Sequence, residues 1–159
     1  MADPKDILQC KFCEIVQGKL PAEIVFNDSV SLAFLDHRPL FPGHCLLVPK
    51  DHYETLLDLS TAMVTALFSN AQLLARLMEE ALGADGSFVA VNNRISQSVP
   101  HFHIHVIPRR KKDGLKGFFW PRQKYRDQAH MTQVADAIRS TVRRLSAGAD
   151  TGDHSSVHF

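Results

Sequence analysis

Residues 101–107 read HFHIHVI, a strict alternation of histidine with bulky apolar residues. Successive side chains of a β-strand point to opposite faces of the sheet, so this alternation predicts a strand and not a helix. The apolar residues form one face, which packs in a core. The other face carries His101, His103 and His105. A face that only met solvent would carry residues such as Thr, Lys or Glu, so three aligned imidazoles predict a chemical site.

The other segments predict an α+β fold with roughly five antiparallel strands. Residues 22–36 are typical of a hairpin, and the stretches GHCLLVPK and SFVAVNN supply two further strands. Apolar residues at helical spacing predict one long helix over residues 60–82, ended by Gly83, and a C-terminal helix over residues 128–145. We expect one domain over residues 1–145 and a disordered tail over residues 146–159.

Charge and hydropathy limit the kinds of partner. The 159 residues carry a formal net charge of +1, which argues against a protein that coats a long nucleic acid. Between residues 109 and 126, eight Lys and Arg side chains stand against one Asp, which favours a small anionic ligand. No apolar run reaches the roughly 18 to 20 residues of a membrane span, and the first residues do not have the pattern of a signal peptide. We therefore expect a cytoplasmic protein that does not bind membranes.

The three cysteines indicate a second site. Cys10 and Cys13 are spaced C-x-x-C, which in a reducing compartment is typical of either a metal site or a redox pair. Cys45 lies inside an apolar strand, where a cysteine is most simply a small buried hydrophobic residue. The spacing alone leaves metal and redox chemistry both open.

The histidine row also leaves two chemical interpretations open. Histidines two residues apart on a strand can bind one metal ion, and histidine also serves as a nucleophile or an acid–base group near neutral pH. A catalytic metal usually has an acidic residue nearby to manage its bound water, and Asp and Glu are scarce around the row. The flanking SQS and PRR, and the earlier PGH, offer hydrogen-bond donors and positive charge that suit phosphate oxygens. These surroundings favour a phosphoryl site.

With the pattern His-φ-His-φ-His-φ-φ, where φ is apolar, the chain resembles the histidine triad (HIT) superfamily of nucleotide hydrolases and transferases. The stretches CKFCEIVQGKLPAEIVFND, LAFLD, PGHCLLVPKDHY, VNN and QSVPHFHIHVIPR follow in the family's order over about residues 7–110. The resemblance implies the HIT-like fold, an antiparallel sheet with a long helix, paired with a second copy into a homodimer. Residues 111–145 extend past this core match.

The resemblance also implies roles for the site residues. His103 would attack the α-phosphorus of a nucleotide and form a covalent intermediate, which requires no catalytic divalent metal. His105 would support His103 and the phosphate, and His44 would contact phosphate oxygens. The other implied assignments are Ser98 as a donor to the phosphate or the leaving group, Gln97 near the phosphates, Asp36 on the ribose hydroxyls, Asn92 in the nucleotide site, and Phe12, Ile15 and Phe34 either in a slot for the base or in the core.

In one bacterial branch of the family, a structural zinc is held by a C-x-x-C and two histidines. The matching residues here are Cys10, Cys13, His52 and His101. Four N and S ligands make a closed tetrahedral site, so this zinc would brace the active-site strand without joining the chemistry. Unmetallated packing of the two cysteines is the alternative, and the resemblance disfavours a redox pair.

The substrate stays open to several interpretations. The resemblance implies a purine nucleotide, and the IPR after the triad together with the basic aromatic segment 109–126 favours dinucleoside polyphosphates such as diadenosine polyphosphates. That segment would act as a flap over the substrate, or else as packing and dimer contact. A purine nucleoside phosphoramidase is the alternative enzyme, and a non-catalytic nucleotide-binding or signalling protein is the alternative of another class. Phe102 disfavours a transferase, since those relatives tend to carry proline there. Ser96 departs from the family, where many relatives have glycine beside the phosphate.

Overall fold

The computed structural model describes residues 10–115 and 123–149. Its helices are α1 (Lys11–Val16), α2 (Thr61–Leu82) and α3 (Gln128–Ala149), and a 3-10 turn covers Leu56–Asp58. Its strands are β1 (Ile24–Asn27), β2 (Ser31–Leu35), β3 (Cys45–Pro49), β4 (Gly86–Val91) and β5 (Ile104–Arg109). These residues separate into two compact units, and the second, which contains α3, begins at Leu115.

The five strands form one antiparallel sheet in the order β1-β2-β3-β5-β4. This arrangement confirms the predicted α+β sheet, including the hairpin of β1 and β2. In the sheet, β5 lies between β3 and β4, with His105 opposite Leu46 on β3 and Ile104 opposite Val91 on β4. The end of the histidine row is therefore held by hydrogen-bonded strands on both sides.

The long helix α2 ends at the residue that the sequence predicts and begins one residue later than predicted, at Thr61. The Ser60 hydroxyl accepts a hydrogen bond from the Met63 N–H at 3.2 Å and caps the first turn. Gly83 ends the helix in the left-handed conformation, at φ 61°. The residues of α2 that repeat at helical spacing are buried against one face of the sheet, and these are Leu67, Ala71, Leu74 and Met78. Helix α2 therefore covers this face of the sheet.

The histidines face the opposite side of the sheet, which is covered by α1. Leu46, which lies opposite His105, belongs to the buried cluster that α1 forms with β2 and β3. The apolar residues between the histidines lie in the α2 core instead, each at most 1% exposed, and these are Phe102, Ile104 and Val106. The alternation of the two faces is thus confirmed.

The strand that carries the row begins later than the sequence predicts. Only His105 lies within β5, because the hydrogen bonding to β3 ends at Ile104. The Phe102 N–H donates to the Tyr53 carbonyl at 2.6 Å, and Pro49, at the end of β3, has no N–H to offer. The prediction of one continuous strand through His101 and His103 is therefore wrong.

The C-terminal helix runs four residues past its predicted end, to Ala149. The disordered tail predicted from residue 146 is thus wrong over residues 146–149, where two alanines have high intrinsic helix propensity. Residues 150–159 of that tail and the aromatic stretch 118–120 lie outside the described residues. In the described ranges, no helix is both long and apolar enough to cross a membrane.

Candidate active site

The backbone holds the imidazole of His103 in one orientation. The residue is 3% exposed, and its Nδ1 lies 2.7 Å from the carbonyl oxygen of His101. A carbonyl oxygen can only accept a hydrogen bond, so Nδ1 carries the proton and donates it. In the neutral ring the other nitrogen, Nε2, then carries no proton and has its lone pair available. This is the tautomer that an imidazole nucleophile requires.

A hydrogen-bonded pair of histidines lies beside His103. Nε2 of His44 is 3.0 Å from Nδ1 of His105, and the N–H of Leu40 donates to Nδ1 of His44 at 3.2 Å. The ring centroids of His103 and His105 are 4.9 Å apart. The structure therefore brings together the three histidines that the sequence analysis assigned to the chemistry.

Burial favours the neutral form of these three imidazoles. It is the largest cause that lowers the pKa of His44, where Asp36 opposes it. It also lowers the pKa of His103, against the opposing effects of the His101 carbonyl and of Asp36. The pKa of His105 falls to about 4 through burial first, and then through its neighbours His103 and His44. The pKa of each of the three rings therefore lies below the ordinary histidine value of about 6.5, so the rings are neutral at pH 7.

Asp36 lies next to the histidine pair. Its Oδ2 is 3.7 Å from Nδ1 of His44, and its Oδ1 accepts a hydrogen bond from the Arg38 N–H at 2.8 Å. The carboxylate is partly exposed and can accept bonds from two neighbouring hydroxyls, as ribose would present them. Its contact with ribose stays a prediction.

The aromatic residues assigned to the base slot pack as core. The Phe12 ring meets the rings of Phe34 and His103 edge to face, each at a centroid distance of 5.3 Å, and that of His101 at 5.9 Å. Phe12, Phe34 and Ile15 all belong to the buried cluster under α1. Phe12 therefore packs against the rings of both histidines. The contact of all three residues with a base stays a prediction.

Gln97 braces the loop that leads to the histidine row. Its Oε1 accepts a hydrogen bond from the Arg94 N–H at 2.7 Å, and its Nε2 donates to the Glu54 carbonyl at 2.6 Å. These two hydrogen bonds therefore fix the orientation of the Gln97 amide. Contact of Gln97 with phosphate, as the sequence predicts, would require it to exchange one of these bonds.

The same loop carries the remaining predicted residues. Ser96 takes a left-handed backbone conformation at φ 59°, the region where glycine is favoured. A glycine, which the resemblance leads one to expect at this position, would take this conformation without strain. Ser98 is exposed in the loop, and Asn92 follows β4 directly and is partly buried. The roles of Ser98 and Asn92 at the phosphate stay predictions.

The cysteines and two histidines converge on one point. The four ligand atoms of Cys10, Cys13, His52 and His101 all lie within 4.8 Å of one another. Nδ1 of His101 is 3.4 Å from Sγ of Cys10 and 3.5 Å from Sγ of Cys13, which is 3.3 Å from Nδ1 of His52. A tetrahedral zinc with Zn–S of about 2.3 Å and Zn–N of about 2.0 Å has S···N edges of about 3.5 Å. The predicted ligand set therefore fits a tetrahedral zinc.

The surroundings of His101 and Cys13 agree with a bound cation. Nε2 of the fully buried His101 lies 3.0 Å from the Pro49 carbonyl and donates to it, so the lone pair of Nδ1 faces the sulfurs. Burial lowers the pKa of His101 to about 4, which keeps the ring in the neutral form that binds metal. Burial also raises the pKa of the Cys13 thiol to about 12. A divalent cation would supply the charge that deprotonates such a thiol.

The sequence did not predict three groups at these sites, all of them in the backbone, and one is the His101 carbonyl that orients His103. The Leu40 N–H fixes the ring of His44, and the Pro49 carbonyl fixes the ring of His101. Main-chain groups have no residue-specific pattern, so only the strand register could have revealed them.

Comparisons with known proteins agree with this geometry. A family model described as HIT domain matches residues 17–112. The adenylylsulfatase HINT3 of Arabidopsis thaliana is 35% identical over 85% of this chain and 68% of its own length. The bis(5'-nucleosyl)-tetraphosphatase (asymmetrical) of Schizosaccharomyces pombe is 30% identical over 69% of this chain and 58% of its own length. The crystal structure of a zinc-bound histidine triad family protein from Mycobacterium smegmatis is similar at a TM-score of 0.66, with 35% identity over 82% of this chain and 99% of that one.

Proposed function

This chain belongs to the HIT domain family, and from that premise we propose that it hydrolyses nucleotides at the α-phosphorus through a covalent intermediate on His103. One observation carries the proposal, the 2.7 Å hydrogen bond from Nδ1 of His103 to the His101 carbonyl. Because of this bond, Nε2 of the neutral His103 ring has a lone pair available for attack. Burial favours the neutral form of His103 and of His105 beside it.

In the first step, the Nε2 lone pair of His103 attacks the α-phosphorus. The N–P bond forms as the bond from phosphorus to the leaving group breaks, and the leaving group departs with that electron pair. The ring gains positive charge, which the His101 carbonyl stabilises because it already accepts the Nδ1–H. His105 lies beside the ring of His103, within reach of the phosphoryl oxygens.

In the second step, water attacks the same phosphorus. The P–O bond forms, the N–P bond breaks, and the electron pair returns to Nε2 of His103. The proton of the water passes to solvent, or to the departed group where that group needs one. The products are a nucleoside monophosphate and the leaving group, and His103 recovers its starting tautomer.

Cys10, Cys13, His52 and His101 would hold a structural zinc, which supplies coordination bonds and no reacting group. The His101 ring would then be fixed between the metal and the Pro49 carbonyl. The carbonyl of the same residue orients the ring of His103. A bound zinc would therefore help to fix the position of the nucleophile without contacting it.

A dinucleoside polyphosphate, such as a diadenosine polyphosphate, is the substrate class that we favour. The basic residues between 109 and 126 suit additional phosphates. A tetraphosphatase and an adenylylsulfatase, each named for a hydrolysed anhydride, stand among the relatives. A purine nucleoside phosphoramidase is the alternative enzyme, since the same attack by His103 would release an amine.

The test compares kcat/KM for a diadenosine polyphosphate, adenylylsulfate and an adenosine phosphoramidate. We expect the anhydrides to be preferred, and we expect His103→Ala to lose at least about 10³-fold in kcat. A preference for the phosphoramidate would move the protein to the alternative enzyme class. Tight nucleotide binding without turnover of any of the three would instead identify a non-catalytic nucleotide-binding protein.

A further inference from the structure

We propose that Ile95 is a specificity-determining residue that contacts the second base of a dinucleoside polyphosphate, the base that departs with the leaving group. This inference rests on the proposed function for the reaction and for the kind of substrate. Ile95 lies between β4 and the histidine row and is 82% exposed, more than any other large apolar side chain among the described residues. Single exposed apolar residues are ordinary on protein surfaces, and Ile95 is set apart by its backbone.

The chain takes an unfavourable conformation on both sides of Ile95. Arg94 has φ 65° and Ser96 has φ 59°, in the left-handed region that residues other than glycine, asparagine and aspartate rarely adopt. The Ile95 N–H donates to the Asn93 carbonyl at 2.7 Å, which closes a tight turn. Such conformations persist only where surrounding contacts enforce them, and they concentrate at ligand-binding and active sites. The turn therefore presents the Ile95 side chain to solvent at a cost in backbone strain.

Two side chains of the loop anchor this turn to the neighbouring 3-10 turn and the residue pair before it. Oδ1 of Asn93 accepts a hydrogen bond from the Leu56 N–H at 2.9 Å. Nε2 of Gln97 donates to the Glu54 carbonyl at 2.6 Å, and its Oε1 is bonded within the loop. Ile95 is therefore held in place by its neighbours while its own side chain stays in solvent.

The loop ends on the face of the sheet that carries the histidines. Val99 packs against the buried cluster under α1, and the row begins two residues later. Ser98, the predicted donor to the leaving group, follows Ile95 by three residues, so the two lie at most about 11 Å apart along the chain. A base that departs on the Ser98 side of the phosphorus would therefore come within reach of Ile95.

A nucleobase fits this single apolar side chain better than a protein partner does. The face of a base is planar and largely apolar, and its contact with an aliphatic side chain removes both surfaces from water. The residues on either side of Ile95 are polar from Asn93 to Ser98, so the apolar surface is the size of one side chain. A stable protein interface buries roughly 800 Å² on each partner, which this surface does not offer.

The test compares the binding of diadenosine tetraphosphate with that of adenosine 5'-tetraphosphate, which has the same number of phosphates and no second nucleoside. Isothermal titration calorimetry in a His103→Ala background avoids turnover. We expect Ile95→Ser to weaken binding of the diadenosine compound by about five- to tenfold, and that of adenosine tetraphosphate by less than about twofold. Ile95→Leu keeps an apolar side chain and is expected to recover most of the affinity.

Leu57→Ser is the matched control, because Leu57 is 76% exposed on the neighbouring 3-10 turn, and it is expected to change neither affinity. Equal losses for the two compounds in Ile95→Ser, or the same selective loss in Leu57→Ser, would overturn the role of Ile95. Because the measurement needs no hydrolysis, a failure of the proposed chemistry leaves it informative. Failure of the protein to bind either nucleotide would overturn both proposals.

A second variant tests whether the anchored turn acts through Ile95. We expect Asn93→Ala to weaken binding of the diadenosine compound, because the loop loses its bond to the Leu56 N–H. We expect little further loss when Ile95→Ser is added to this variant. Additive losses would show that Asn93 acts elsewhere and would contradict the role of the turn.

Discussion

At the scale of single residues, His101 contributes to the site through both its imidazole ring and its main-chain carbonyl. Its ring faces the sulfurs of Cys10 and Cys13, and its main-chain oxygen accepts the proton of His103. The sequence predicted the ring's role through the family pattern. It could not predict the carbonyl's role, because every residue has a carbonyl and only the local path of the chain decides where it points.

His105 makes the stability of the protein sensitive to acid. Its pKa is about 4 in the folded protein, whereas an unfolded histidine titrates near 6.5, so the unfolded chain binds more protons between these values. Stability therefore rises with pH across this window and is lost as the pH falls from about 6.5 toward about 4. We predict that the melting temperature decreases over this range, and less steeply in His105→Asn. Thermal melts at several pH values test this, and equal slopes in the two proteins would contradict it.

Among the elements, the turn that leads into β3 sets the place of His44. Gly43 has a left-handed φ of 97°, and a Cβ there would collide with Leu82 at the end of α2 and lie 3.2 Å from Cγ of Pro108 on β5. A Cβ at this position would therefore displace the end of the Leu82 side chain and crowd the Pro108 ring. The close approach explains why the chain has glycine directly before His44.

We predict that Gly43→Ala lowers the free energy of unfolding by about 2 to 4 kcal/mol, through strain and overpacking together. Gly18→Ala is the matched control, since Gly18 has a similar φ of 71° but nothing within 4 Å of the added Cβ. Its cost is expected to be about 1 kcal/mol, from backbone strain alone. Urea denaturation of both variants measures the difference, and equal losses would show that the collision does not matter.

Helix α1 and the start of the histidine row meet at the cluster of Cys10, Cys13, His52 and His101, which leads to a prediction about zinc. We expect about one zinc per wild-type chain and none in Cys10→Ser. The melting temperature of this variant is expected to fall by about 10 °C or more, because a metal that binds only the folded state stabilises that state. Cys45→Ser is the control and keeps its zinc, since Cys45 lies in the core under α2. Elemental analysis and thermal melts check both. A Cys10→Ser protein with unchanged metal content would mean that the cysteines only pack.

The predicted elements were most reliable where side-chain patterns decide the structure. The faces of the histidine row follow from periodicity, and the end of α2 follows from Gly83; both predictions are confirmed. The start of β5 was wrong because it depends on hydrogen-bond partners elsewhere in the chain, namely Tyr53 and Pro49. Local patterns report on burial, whereas strand ends depend on long-range pairing.

For the whole molecule, the sheet offers a route to assembly. In the described part of the chain, β1 and β4 are the edge strands, and an edge strand presents unpaired backbone groups to a partner. The family resemblance implies a homodimer that extends the sheet. We therefore predict a particle of twice the 17.8 kDa chain mass by light scattering. A monomer at micromolar concentration would contradict this prediction.

Capture of the covalent intermediate tests most directly whether His103 is the nucleophile. The wild-type protein is mixed with a diadenosine polyphosphate and quenched in alkali within the first turnover, because N–P bonds are labile in acid, and its peptides are analysed by mass spectrometry. We expect one nucleotidyl group on the peptide that contains His103, and none in His103→Ala. Turnover without an adduct, or an adduct on another residue, would contradict the central role of His103.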